Sequence, residues 1–141
     1  MGIIFSIIAG LLMSIQGVFN TNVTKKIGLW ETNIVVQGVA LVSTIILFLF
    51  LKNGNFKQIS SVNKLYLTGG IIGALITATV VLGMKNLGPT CAVSIILISQ
   101  LLTAAAIDYF GLFQSAKLAF GMNKFIGMAL MIIGIIAFKY K

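Results

Sequence analysis

The side chains with chemical potential in this sequence are mostly carboxamides. Gln16 and Asn20 stand four apart with Thr24 four further on, which puts all three on one stripe of a helix. Gln37 lies in the second apolar run, and Gln100 and Asp108 share one helical row with Ala104 between them. A carboxamide both donates and accepts, so the chemistry open to this set is recognition by hydrogen bonding. Proton and group transfer lack their usual parts. The chain has no histidine, one cysteine (Cys91) and two acidic residues, Glu31 and Asp108. That leaves no paired carboxylates, no nucleophile beside a base and no cluster of metal ligands. The sequence therefore predicts no enzyme, no metal site and no cofactor, and Cys91 has no internal disulfide partner.

What must position these amides is a membrane. Of the 141 residues 59% are hydrophobic and 9% charged, where a soluble domain carries about a quarter charged. The net charge of +8 comes from ten basic residues, all lysines, and nearly all sit between or at the ends of apolar runs. That placement marks membrane boundaries and argues against nucleic acid as a partner. Five runs lie at roughly 3–22, 32–51, 65–84, 89–110 and 121–138, each near the 20 residues needed to cross a core about 30 Å thick. The expectation is an all-α integral membrane protein, one five-helix domain over residues 1–141. The first run has no basic segment before it, so it reads as a retained span rather than a signal peptide. A myristoylation-like MGIIFS and the sequon Asn22-Val23-Thr24 are set aside as chance matches. Gly88 and Pro89 suit a tight hairpin, and Gly111 suits a helix C-cap.

Depth then sorts the polar residues. At about 1.5 Å per residue, Gln16 and Gln37 fall about 6 Å off the midplane, at one level if their helices are antiparallel neighbours. Gln100 falls near the centre of its span. Three amides at similar depth predict a polar cavity, whereas one alone would be an ordinary interhelical bond. Asp108 lies about 13 Å from the centre of its span, in a last turn where the helix dipole disfavours a carboxylate. A lysine, a hydroxyl or loop amides should offset that cost, giving Asp108 a structural or coupling role. Glu31 begins its helix, where negative charge is favoured, and needs no function. Small-residue rows for helix packing are expected at Gly10 and Ser14, at Gly69 and Gly73, and at Gly127 and Gly134.

The lysines give no orientation. Five spans place Lys52, Lys57, Lys64, Lys117 and Lys124 on one side and Lys25, Lys26, Lys85, Lys139 and Lys141 on the other. An excess on one side normally faces the cytoplasm, and here there is none. The balance predicts insertion both ways and pairing with an inverted copy, ten helices in two inverted fives.

GLLMSIQGVFNTNVTKKIG, LYLTGGIIGA and ISQLLTAAAIDYFGLF resemble the first helix, the third-helix start and the aspartate-ended fourth helix of the YdcZ family. These are small members of the drug/metabolite transporter superfamily, which is EamA-like. Two positions depart from its pattern: Ser99 where glycine is common, and Tyr109 where histidine is common. The resemblance implies a multi-pass protein of the bacterial cytoplasmic membrane, half of a ten-helix transporter completed by dimerisation. Small multidrug-resistance proteins of the same superfamily exchange protons through a first-helix glutamate. This first helix has Gln16 and no carboxylate, so that mechanism is not expected.

The leading expectation is a secondary transporter of a small polar or cationic metabolite, working by alternating access. Its partners are the bilayer, the substrate, and either itself as an antiparallel homodimer or a paralogue of opposite orientation. Gln16, Asn20, Gln37 and Gln100 would bind substrate. The alternative is a non-transporting assembly partner or regulator of another transporter, in which the amides pair within one protomer and leave no cavity.

Overall fold

The computed structural model describes residues 1–52, 54–117 and 121–139, the last two of these without their side chains' surroundings. It is all α-helix with short 3-10 segments. Helix α1 spans Gly2–Ile27, α2 Leu29–Leu51, α3 Gly69–Leu87, α4 Pro89–Phe110 and α5 Met122–Lys139. Two 3-10 segments, Phe56–Ser61 and Lys64–Thr68, precede α3, and a third, Leu112–Gln114, follows α4.

Four helical stretches are long and apolar enough to cross a membrane: Gly2–Ile27, Leu29–Leu51, Lys64–Leu87 and Pro89–Phe110. The apolar part of α5, Met122–Ala137, is shorter. The 18 residues of α5 rise about 27 Å, just under the usual core thickness of about 30 Å. Lys141, counted above among the boundary lysines, lies outside the described residues, as does the side chain of Lys139.

The nine residues expected between the first two spans, 23–31, reduce to a single connecting residue in the structure. Nothing from Asn22 to Ile27 breaks a helix, and Lys25 and Lys26 sit in the last turn of α1, where cations complement the dipole. The chain turns only at Gly28, whose φ of 100° lies in the region that favours glycine. Its amide donates to Thr24 O at 3.1 Å, and its carbonyl accepts from Thr32 N at 3.2 Å and from Thr32 Oγ1 at 2.6 Å. One glycine thus ends α1 and opens α2. Glu31 falls in the first turn of α2, as the dipole favours. Gly88 and Pro89 separate α3 from α4 as the sequence suggests, with Pro89 in the first turn of α4. Gly111 caps α4 in the left-handed conformation, its amide donating to Ile107 O.

The described chain divides into two compact units, Met1–Asn86 and Leu87–Lys141. In the first, the buried residues are Gly17, Asn20 and Thr21 of α1, Thr32 and Asn33 of α2, and Ala78, Val81 and Met84 of α3. Gly17 is where α1 and α3 meet. A Cβ there would overlap Met84 Cε and lie 2.8 Å from Met84 Sδ and 3.3 Å from Val80 Cγ1. At Gly10, Gly69, Gly73, Gly127 and Gly134 a Cβ would meet nothing within 4 Å. Among the described residues these five glycines thus have open space beside them, whereas Gly17, which the row pattern did not single out, is closely packed. In the second unit α4 and α5 pack on each other.

Candidate substrate site

Hydroxyls in the spans are mostly spoken for by their own helices. Ser6, Ser14, Thr21, Thr44, Thr77, Ser94, Ser99 and Thr103 each donate to the carbonyl four residues back, at 2.8–3.1 Å. Such back-bonding satisfies a hydroxyl without any tertiary partner. A carboxamide has no comparable way out, so the amides decide where a polar site lies.

The two buried amides, Asn20 and Asn33, lie in the first unit, on either side of the Gly28 turn. Asn20 and Thr21 are each 7% exposed, Asn33 5% and Thr32 1%. Asn33 Nδ2 donates to Ala74 O of α3 at 2.8 Å, but its acceptor Oδ1 is buried with no hydrogen-bond partner. Thr24 Oγ1 is a second buried oxygen without one. Gln37, half-buried, donates to Thr77 Oγ1 at 3.5 Å, the outer limit of a hydrogen bond. Leaving a buried acceptor unmade costs about 1–3 kcal/mol. A segment whose only task was packing would place leucine or alanine at position 33. Asn33 thus has a satisfied donor and an unpaired buried acceptor.

Of the residues expected to bind substrate, Asn20 and Gln37 belong to this buried or half-buried group, and Gln16 is exposed on α1. In the second unit Gln100 is exposed on α4 and Asp108 is half-buried. Among the described residues, no side-chain hydrogen bond engages Gln16, Gln100 or Asp108, and no ion pair engages Asp108. Lys117 does return toward the end of α4, since a Cβ on Gly111 would sit 3.4 Å from Lys117 Cβ. Beside this helix end, Leu102, Ala105, Ala106 and Tyr109 of α4 and Phe125 and Met128 of α5 line an open, almost wholly apolar cleft of about 220 Å³.

Asn33 was missed because it sits at the expected edge of the second span. A signal was present. Gln16 and Asn20 are four apart, Asn33 and Gln37 are four apart, and the two pairs are mirror images about the Lys26–Ile27 bond, just before Gly28. A turn at that point brings the inner pair, Asn20 and Asn33, toward the vertex of the two helices.

Comparison with protein families settles the kind of protein. The family described as "Putative inner membrane exporter, YdcZ" matches residues 1–137. The chain belongs to the YdcZ family. The match covers both units and every described helix except the last two residues of α5. As a YdcZ-family member of the drug/metabolite transporter superfamily, it is a multi-pass inner-membrane protein with a transport role, not an enzyme. No group of three or more potential metal ligands occurs among the described residues. No curated protein and no solved structure matched the chain.

Proposed function

We propose that this YdcZ-family chain is a secondary transporter of a small polar or cationic metabolite. It works as an inverted dimer by alternating access, with five spans per protomer. The observation that carries this reading is the buried, unpaired Oδ1 of Asn33, in the unit that also buries Asn20, Thr21 and Thr32. It calls for a donor, and polar metabolites and ammonium-type cations supply donors. In the assembled dimer Gln16, Asn20, Gln37 and Gln100 supply further substrate hydrogen bonds, and Asp108 acts as a structural or coupling charge.

Dimerisation is supported by exposure and by charge. In 18-residue apolar windows of the four long spans, the buried share is 6%, 0%, 11% and 6%, so a single chain covers little of the surface of its own spans. The five-to-five lysine balance supports opposite orientations. A paralogue of opposite orientation would serve as partner equally well.

The second reading is a non-transporting assembly partner. The bonds from Gln37 to Thr77 and from Asn33 to Ala74 favour it, because they pair amides within one protomer. Transport by reconstituted vesicles decides between the two. A screen of polar and cationic metabolites should find uptake or efflux that Gln16→Leu and Gln100→Leu abolish while folding and dimer formation persist. Retained transport in both variants would return those glutamines to packing.

A further inference from the structure

The connection between α2 and α3 is built as a surface segment with one apolar edge. Lys52 ends α2, and Asn55 then caps the 3-10 turn Phe56–Ser61, its Oδ1 accepting from Lys57 N at 2.9 Å. Ser60 and Ser61 donate to Lys57 O and Gln58 O at 3.3 and 2.7 Å. A 3-10 helix has three residues per turn, so side chains three apart eclipse. Phe56, Ile59 and Val62 therefore form one row, with Lys57 and Ser60 on the next and Gln58 and Ser61 on the third. The apolar row is open: Phe56 is 72% exposed, Ile59 52% and Val62 40%. Its end is anchored, because the Phe56 ring lies 5.2 Å from the Phe48 ring of α2 at 58°.

Between this turn and the end of α2 lies an open cleft of about 360 Å³. Phe48, Leu51, Phe56 and Ile59 give it apolar walls, and Lys52 and Asn55 give it a polar rim. The walls continue the exposed apolar surface of α2, where Leu47, Leu49 and Phe50 are 57–81% exposed. Lys57 and Lys64 add positive charge nearby, and no acidic residue lies between Glu31 and Asp108 to offset it. An apolar slot beside a span, with Lys52 on its rim and two more lysines close in sequence, matches one class of molecule.

We propose that Lys52 and the segment 54–62 form a binding site for an anionic phospholipid. One acyl chain lies against Phe48, Leu51, Phe56 and Ile59, and the phosphate lies against Lys52. Lys57 and Lys64 strengthen the attraction through the headgroup region, each by about five-fold near a charged surface. The row Phe56, Ile59 and Val62 rests in the acyl boundary, as an interfacial amphipathic segment does. The site is separate from the buried amides and independent of whether the chain transports.

The test uses the full chain in vesicles of phosphatidylcholine and phosphatidylglycerol. A Trp30→Phe, Phe56→Trp variant carries its only tryptophan in the cleft, and bromine is placed on the acyl chains of one lipid at a time. The expected result is several-fold stronger quenching by brominated phosphatidylglycerol than by brominated phosphatidylcholine at equal mole fraction. Lys52→Gln should cut that preference about five-fold, whereas Lys124→Gln should leave it unchanged. Native mass spectrometry of the unaltered chain should retain phosphatidylglycerol over phosphatidylcholine, which guards against misfolding of any variant. Equal quenching by the two lipids would overturn the proposal, reducing the segment to a nonspecific membrane contact. Quenching by neither lipid would also overturn it, because protein would then cover the row. Millimolar inorganic phosphate should not change the preference; if it abolished it, the site would be one for free anions.

Discussion

Replacing Asn33 by leucine separates a ligand-facing amide from a packing amide, because the two roles predict opposite signs. The substitution removes the bond from Asn33 Nδ2 to Ala74 O, and interhelical bonds of this kind in membranes average about 0.6 kcal/mol. Ala74 lies inside α3, so its carbonyl keeps a helical partner and is not orphaned. The same substitution removes the unpaired Oδ1, relieving a penalty of about 1–3 kcal/mol. Leucine has the branching of asparagine but carries two bulkier methyl groups, at a site 5% exposed, so overpacking trims the gain. The net expectation is unchanged or higher stability, by up to about 2 kcal/mol, together with loss of transport. Thermal unfolding of the purified protein reads the first quantity, and vesicle uptake with the substrate found by screening reads the second. A variant destabilised by more than about 1 kcal/mol that still transports would refute the reasoning, since Asn33 would then be a structural tie.

Two other perturbations follow from the contacts. Gly17→Val places branched carbon where Met84 and Val80 already sit, so it should destabilise by about 1–3 kcal/mol, and Met84→Ala should recover part of that loss in a double-mutant cycle. Asp108→Asn should keep much of the transport activity because it keeps the hydrogen-bonding shape, whereas Asp108→Ala should lose transport and thermal stability together. An inactive but folded and dimeric Asp108→Asn would assign the function to the charge.

The helices were legible because length and apolarity alone define a span, and the bilayer imposes both. Gly88, Pro89 and Gly111 were legible for a different reason: each fits a backbone conformation that few residues adopt. Gly28 belongs to the same class, yet it lay unremarked inside the expected connection 23–31. Lys25 and Lys26 instead close the last turn of α1, as cations do at a helix C-terminus. The polar site was half legible. Helical spacing put Asn20 on the Gln16 stripe and depth singled out Gln37, but Asn33 fell at an expected boundary, and its bond to Ala74 of α3 is one that no local pattern reveals. Gly17 escaped for the same reason, since the contact that needs a glycine there is with Met84, 67 positions away. Spacing finds faces, and only packing says which face is covered.

Pairing of the chain with an inverted copy of itself is tested directly by labelling. In a Cys91→Ala background, Ala116→Cys puts a single thiol at an exposed position in the connection after α4. With a membrane-impermeant maleimide, about half of the protein in sealed vesicles of uniform orientation should be labelled, and the remainder only after permeabilisation. Labelling of nearly all or nearly none of the thiols in sealed vesicles would show one orientation and contradict the inverted homodimer.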